Sequence, residues 1–134
     1  MTAADELPLA GLRVLEIATI IAAPLGASFL AAMGANVTKI EQVNGDPYRG
    51  LAMGGGSARV NAGKRSISLD LKSPEGQAIA AKLAAKADVL IHNYRPGHPE
   101  TTGTGHDLQQ ITSKKKETSP QRDYPPASRR RPHR

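Results

Sequence analysis

The stretch at residues 61–76 (Asn-Ala-Gly-Lys-Arg-Ser-Ile-Ser-Leu-Asp-Leu-Lys-Ser-Pro-Glu-Gly) limits the fold most tightly, because it predicts a loop, a strand and a helix start in succession. Apolar and polar residues alternate from residue 66 to residue 71, which is the period of a half-buried strand. Ser73 and Pro74 then supply a helix N-cap and a first-turn proline. A strand that feeds a capped helix is typical of an α/β domain.

A basic pair, Lys64 and Arg65, comes directly before this predicted strand. A ligand lying against the mouth of the strand would meet both side chains. A solvated pair at a strand end fits the same pattern, since short motifs often match by chance. The stretch alone leaves both interpretations open.

The first forty residues predict a parallel βαβ unit. An apolar run at residues 12–18 predicts a strand, Pro24 suits the first turn of the following helix, and Gly34 suits the residue after its end. Residues 36–41 predict the next strand, so the pattern is typical of a right-handed crossover. The turn between strand and helix lacks G-x-G-x-x-G, and we therefore expect neither NAD nor FAD.

Residues 42–62 predict a long connection without regular structure, which is uncommon in compact domains and often functional. Three consecutive glycines at residues 54–56 suit a phosphate-binding nest. A flexible loop is the alternative interpretation.

The next part of the chain predicts a helix at residues 74–86, with Ile79 and Leu83 on its buried face and Ala80, Ala84 and Ala87 near the same face. Residues 89–93 predict a fourth strand that ends in polar residues. Ligands in open α/β sheets bind outside the carboxyl ends of strands. This position makes three residues candidate ligand contacts: Asn93, Tyr94 and Arg95. A turn with an exposed arginine fits the position equally well.

Positive charge is concentrated towards the C terminus. Residues 1–100 carry ten Lys/Arg and nine Asp/Glu, whereas residues 101–134 carry eight and three. Residues 112–134 contain no Val, Ile, Leu, Met or Phe, so we predict a disordered basic tail there and an α/β portion at 1–111. We expect such a tail to contact nucleic acid only nonspecifically.

Several classes of site are excluded by composition. The chain has no cysteine, which removes disulfides, a thiolate nucleophile and Cys-ligated zinc. Its four histidines show no metal-ligand spacing, so we expect no metal. The apolar run at residues 17–33 is interrupted by Pro24 and Gly26, and a membrane span needs about 20 apolar residues. With an acidic N terminus as well, we expect a cytoplasmic protein without a membrane partner.

Four blocks, in order along the chain, resemble the N-terminal part of the class III CoA-transferase family (CaiB/BaiF type). They are residues 11–17 (Gly-Leu-Arg-Val-Leu-Glu-Ile), 33–41 (Met-Gly-Ala-Asn-Val-Thr-Lys-Ile-Glu), 61–76 and 87–97 (Ala-Asp-Val-Leu-Ile-His-Asn-Tyr-Arg-Pro-Gly). The family includes formyl-CoA and carnitine CoA-transferases and α-methylacyl-CoA racemase. The resemblance continues weakly to residue 111.

The resemblance implies a partial Rossmann-like parallel sheet with flanking helices that binds coenzyme A. It also implies an interlocked homodimer, although a dimer is doubtful for this chain alone. The implied substrates are an acyl-CoA and a carboxylic acid acceptor. The family's CoA contacts map onto six positions: Ala22, Asn61, Lys64, Asn93, Tyr94 and Arg95. On this basis Lys64 would lie by the CoA phosphates as a point charge, and Ala22 would let the ligand approach the backbone.

Three positions depart from the family pattern. Ile21 stands where the formyl-CoA transferases have a glutamine, Gln42 where an arginine follows strand two, and Thr101 where another arginine is usual. We therefore expect weakened CoA binding and a substrate other than formyl-CoA.

The aspartate nucleophile of the family has no counterpart among the residues of this chain, and the basic tail replaces an apolar strand. We therefore expect an N-terminal CoA-binding portion that is inactive alone, with residues 112–134 arising from a frameshift or premature end. A fragment related to α-methylacyl-CoA racemase is the closest alternative. A basic-tailed binding module and a nonfunctional remnant are the others.

Overall fold

A computed structural model of the chain describes residues 7–51 and 55–94. The described part contains four strands: β1 (Arg13–Ile17), β2 (Asn36–Glu41), β3 (Arg65–Ser68) and β4 (Val89–His92). It also contains the helices α1 (Ala22–Ala32), α2 (Gly55–Val60) and α3 (Pro74–Lys86), and a short 3-10 helix, Pro47–Gly50. The predicted tail at residues 112–134 lies outside the described residues.

The four strands form one parallel sheet in the order β3-β2-β1-β4. This is the order of the first four strands of a Rossmann sheet, and it confirms the predicted α/β class. The chain moves outwards from β1 to β3 and then returns to the other side of β1. Strand order therefore reverses between β1 and β4, and the crevice outside their carboxyl ends is the usual ligand position in such sheets.

Helix α1 ends where the sequence predicts. Pro24 lies in its first turn, and Gly34 follows its end with φ +98°. The Gly34 N–H donates to Ala31 O at 3.0 Å and the Ala35 N–H to Leu30 O at 3.0 Å, which is the Schellman pairing. Only glycine adopts this positive φ without strain, so the helix stops here and β2 begins two residues later.

The sheet is covered on both faces, as parallel sheets usually are. On one face, buried Val14 and Val37 pack with Ala27 of α1. On the other face, Leu15, Ile17 and Ile40 pack with the small residues of α3. Alternate residues of β1 therefore point into two different cores, which explains why nearly the whole strand is buried.

Helix α3 has the predicted bounds, and Ala80, Ala84 and Ala87 are buried as predicted, whereas Ile79 is not. Ser73 Oγ accepts a hydrogen bond from the Gly76 N–H at 3.0 Å and caps the helix as predicted. The buried stripe consists of Gly76, Ala80 and Ala84. Ile79, predicted to be buried, is 41% exposed. Small side chains bring the helix axis close to the sheet, and this proximity decides the orientation of the helix.

Two other predictions are wrong. Strand β3 ends at Ser68 rather than residue 71, because Asp70 forms a turn in which its Oδ1 accepts from the Lys72 N–H at 2.9 Å. The connection at residues 42–62 contains the 3-10 helix and α2. Gly55 and Gly56 lie in α2, so these two glycines do not form a nest. In the described part of the chain, no helix is long and apolar enough to cross a membrane.

Candidate functional site

The turn between β1 and α1 lies at the point where strand order reverses. Asn93, which follows β4, holds this turn with both ends of its side-chain amide. The Thr19 N–H donates to Asn93 Oδ1 at 3.2 Å, and Asn93 Nδ2 donates to Thr19 O at 2.9 Å. Ala22 is the first residue of α1 and is exposed. The structure therefore brings these two predicted site residues to one edge of the sheet.

The backbone of this turn has an unusual conformation at Ile20. Its φ is +70°, a left-handed conformation that β-branched residues rarely adopt. The Ile20 N–H donates to Asp46 Oδ1 at 3.2 Å. Such a conformation costs on the order of 1–3 kcal/mol and persists only where surrounding contacts impose it. A strained turn at a ligand-binding edge is a feature to be expected of a functional site.

A network of four charged side chains lies between the sheet and the first turn of α1. Glu16 and Lys39 are neighbours across β1 and β2, with Lys39 Nζ 3.2 Å from Glu16 Oε1. Lys39 Nζ also lies 2.9 Å from Asp46 Oδ2. Lys64 Nζ lies 2.6 Å from Glu16 Oε2 and donates to Pro24 O at 2.6 Å. All four side chains are at most 2% exposed.

The network is electrically balanced, since two ammonium groups face two carboxylates. Buried charges are tolerated when they are paired and hydrogen-bonded. Within the described residues, both Glu16 oxygens have an ion-pair partner, but neither accepts a hydrogen bond of standard geometry. Burial by itself would raise the pKa of Asp46, but hydrogen bonds from Lys39 and from the Tyr48 and Ile20 N–H groups outweigh it, so the pKa is lowered. Burial lowers the pKa of Lys64, and its contact with Glu16 only partly opposes this.

The Asp46→Asn variant should be destabilised in a pH-dependent way. At neutral pH the loss of this buried pair should cost about 3 kcal/mol. Because the folded-state pKa of Asp46 is lowered, the unfolded chain takes up the proton first as pH falls. The stabilisation is thus complete above the ordinary value near 3.8 and is lost as pH falls through the folded-state value. Urea unfolding across this range should show the two proteins converging in acid; a constant difference would contradict the assignment.

A cavity of about 310 Å³ opens at the same edge of the sheet. It is lined by residues that follow β2, β3 and β4: Gln42, Val43, Asn44, Leu69, Asp70, Leu71, Lys72 and Tyr94. A smaller cavity shares Gln42, Leu71 and Tyr94 with it and reaches Thr19 of the β1–α1 turn. The two spaces share part of their lining, and the second, of about 10 Å³, lies beside the β1–α1 turn. Tyr94 lies where the two cavities meet, and burial raises the pKa of its hydroxyl.

Two further predicted site residues, Lys64 and Asn61, do not line this cavity. The ammonium group of Lys64 points beneath α1, towards Glu16 and Pro24 O. This direction disfavours the predicted contact with a CoA phosphate, which stays a prediction. Asn61 donates through Nδ2 to Ser57 O at 2.9 Å, within α2 and the loop after it. Arg95 lies outside the described residues.

Sequence reasoning missed Glu16, Lys39 and Asp46. Glu16 lies between Leu15 and Ile17 in β1, and Lys39 precedes Ile40 in β2, so each charge has an apolar neighbour in its strand. In a parallel sheet buried on both faces, such charges must pair. The signal was therefore present in the sequence, but only the strand register shows that the two residues are neighbours.

The sequence model of CoA-transferase family III matches residues 9–113 of the chain. The chain is 38% identical over 122 residues to the succinyl-CoA–L-malate CoA-transferase alpha subunit of Chloroflexus aurantiacus, an alignment that covers 84% of this chain and 28% of that protein. It is 40% identical over 101 residues to the succinate–glutarate CoA-transferase of Agrobacterium fabrum, covering 66% of this chain and 25% of that protein. The chain thus spans about a quarter of the length of these relatives.

Solved structures are also similar to this chain over about three quarters of its length. A CAIB/BAIF family protein from Brucella suis superposes with a TM-score of 0.67 at 35% identity, over 78% of this chain and 31% of that one. A hypothetical protein from Mycobacterium tuberculosis superposes with a TM-score of 0.70 at 34% identity, over 78% of this chain and 30% of that one. The parallel sheet and its flanking helices are therefore similar to the corresponding part of these larger proteins.

Proposed function

The chain belongs to CoA-transferase family III, and from this premise we propose that it supplies the CoA-binding part of an enzyme that moves CoA between an acyl-CoA thioester and a carboxylic acid. In that reaction the thioester C–S bond of the donor and one C–O bond of the acceptor carboxylate break. A new C–S bond joins CoA to the acceptor, and the oxygen that the acceptor loses is bonded to the donor acyl carbon. The donor therefore leaves as a carboxylate, and no oxidant or reductant is required.

One observation carries the proposal: the 310 Å³ cavity lies at the carboxyl edge of the sheet and shares Gln42, Leu71 and Tyr94 with a small space beside the strand-reversal point. This is where open α/β sheets bind nucleotide-containing ligands. Leu69, Leu71 and Tyr94 offer apolar surface suited to an adenine ring, and Lys72 adds a cation at the rim. We assign the cavity to the nucleotide of CoA and the β1–α1 turn to the part nearer the thioester.

The acidic side chains at this edge support a binding role over a catalytic one. Acyl transfer in this family uses a carboxylate nucleophile. In the described residues, Glu16 and Asp46 are buried and paired with lysines. Asp70 lines the cavity, but its Oδ1 accepts from the Lys72 N–H. None of these three carboxylates is placed to attack a thioester, so we propose that the nucleophile belongs to another part of the enzyme.

The names of the relatives suggest the substrates to test. Relatives act with succinyl-CoA on L-malate, D-citramalate or mesaconate, and another is a succinate–glutarate CoA-transferase. We propose a small dicarboxylic acid as the acceptor. Because L-malate CoA-transferase has an alpha and a beta subunit, both similar to this chain, we also propose that the chain works within an assembly of related subunits.

The test is binding of free coenzyme A to the full chain by isothermal titration. We expect weak binding that falls as salt is added, because phosphates carry much of the interaction. Lys72→Ala should weaken binding about threefold, the effect of one exposed ion pair. Dephospho-CoA and pantetheine, titrated in parallel, show which part of the ligand the cavity holds.

Lys82→Ala is the matched control, because Lys82 is an exposed lysine on α3 and lines none of the cavities described above. This variant loses the same charge and should bind CoA as the unsubstituted chain does. Equal losses of CoA affinity in the two variants would show that CoA is attracted by the general positive charge of the protein and not bound at this cavity. Failure of the unsubstituted chain to bind CoA would overturn the proposed function.

A further inference from the structure

The ammonium group of Lys64 is fully engaged beneath the first turn of α1. Its contacts with Glu16 Oε2 and the Pro24 carbonyl are both 2.6 Å, and its side chain is 2% exposed. With its side chain buried in this way, the ammonium is not accessible to a ligand phosphate in this structure. We propose that Lys64 is a positioning residue, which holds Pro24 and the turn before α1 in the shape that binds CoA without itself contacting the ligand. This inference rests on the proposed function.

The start of α1 needs such support because local sequence provides little. Its N-cap residue is Ile21, which has no side chain able to cap the helix, and the first turn contains no acidic residue. Directly before it, Ile20 adopts φ +70°. A helix start without a cap that follows a strained residue is expected to fray unless tertiary contacts hold it.

Three side chains from three different segments supply those contacts. Asn93, after β4, binds the Thr19 backbone through both its amide oxygen and its nitrogen. Asp46, after β2, accepts from the Ile20 N–H. Lys64, before β3, donates to Pro24 O. The turn is therefore fixed along its whole length, and Lys64 holds the point nearest the helix.

Glu16 fixes the position of the Lys64 ammonium group. Glu16 is completely buried in β1, where its backbone belongs to the sheet and its other carboxylate oxygen faces Lys39. The path from Glu16 through Lys64 to Pro24 thus joins the middle of the sheet to the helix start. Since Lys39 is also paired with Asp46, removal of Lys64 leaves two carboxylates facing one ammonium.

Because the number of buried charges can be kept balanced, the effect of Lys64 on the position of the α1 start can be measured separately from its effect on the stability of the fold. Lys64→Met removes the contact with Pro24 and leaves an excess negative charge. The double variant Glu16→Gln/Lys64→Met removes the same contact but leaves Lys39 and Asp46 as a balanced pair. We expect the double variant to recover most of the stability lost by Lys64→Met, because a buried uncompensated charge is the main cost.

The decisive measurements on the double variant are CoA affinity and amide hydrogen exchange in the full chain. The Leu25 N–H donates to Ile21 O at 2.7 Å at the start of α1. We expect its exchange to be about tenfold faster than in the unsubstituted chain, because the helix start loses the charged hydrogen bond from Lys64 to Pro24 O. Exchange at Leu15 in β1 should stay close to its original rate. CoA binding should weaken about tenfold for the same reason.

Three results would decide against the inference or its premise. Native CoA affinity in a stable double variant would show that Lys64 serves charge balance only. An unchanged exchange rate at Leu25 would show that the helix start does not depend on Lys64. Absence of CoA binding by the unsubstituted chain would overturn the proposed function alone, because exchange at Leu25 tests the positioning role without ligand.

If the variants do not fold, the inference can be tested on the unsubstituted chain. The Lys64 ammonium, followed by NMR of isotope-labelled lysine, should keep its hydrogen-bonded signal when CoA is added in excess. A signal that moves to that of a phosphate-bound ammonium would overturn the inference, because Lys64 would then be a ligand contact.

Discussion

Glu16→Gln is expected to destabilise the fold by about 3–5 kcal/mol, the usual cost of removing one partner from a buried ion pair. Glutamine has nearly the shape of glutamate, so the change removes charge and leaves packing almost intact. Glu16 is 0% exposed and faces both Lys39 and Lys64. Without it, two ammonium groups share the single carboxylate of Asp46. Urea unfolding at neutral pH, followed by circular dichroism, measures the loss.

The control is Arg49→Ala, which also removes one member of an ion pair. Arg49 Nη2 lies 2.8 Å from Glu41 Oε1, but the arginine side chain is 54% exposed. Solvent screens such a pair, so its loss should cost at most about 1 kcal/mol. Similar effects of the two substitutions would mean that Glu16 is solvated in the folded protein, and the network would then lose its assigned role.

The network also marks the limit of what the sequence predicts. The position of Lys64 before a predicted strand fits either a ligand contact or a solvated charge, and the family resemblance favours a CoA contact. The structure shows that its long side chain reaches beneath α1 to Glu16, which is distant in sequence. Sequence patterns predict which residues lie in strands, whereas burial of a particular charge depends on register and helix placement. The CoA contacts of the predicted site residues stay predictions.

The regular elements were predicted more accurately where local chemistry ends them. Ser73 and Gly34 fix one boundary each by hydrogen bonds that involve neighbouring residues only. The extent of β3 was predicted wrongly because Leu69 and Leu71 continue the alternation after the strand has ended. Both side chains reach the core from the turn instead. The alternation of apolar and polar residues therefore indicates which side chains are buried. It does not by itself show that they lie in a strand.

The buried face of α3 shows the same limit and leads to the second expected result. The helical spacing places Ile79 on one face with Ala80 and Ala84, yet the buried residues of the helix are Gly76, Ala80 and Ala84, and Ile79 is 41% exposed. At Gly76 the close approach is extreme. A Cβ there would lie 2.0 Å from Asp70 O and 2.7 Å from Asp70 C, which are backbone atoms. Because the turn that contains Asp70 joins β3 to α3, it has little freedom to move away.

Gly76→Ala should therefore destabilise the protein by about 2 kcal/mol or more, the range found when a core is overpacked. Helix propensity predicts the opposite, a gain of about 0.8–1.0 kcal/mol for alanine over glycine. Gly26→Ala in α1 is the matched control, since a Cβ there would meet nothing within 4 Å. Urea unfolding should show Gly26→Ala to be more stable than the unsubstituted chain and Gly76→Ala to be less stable. Stabilisation by both substitutions would mean that α3 packs less closely on the Asp70 turn than the structure shows.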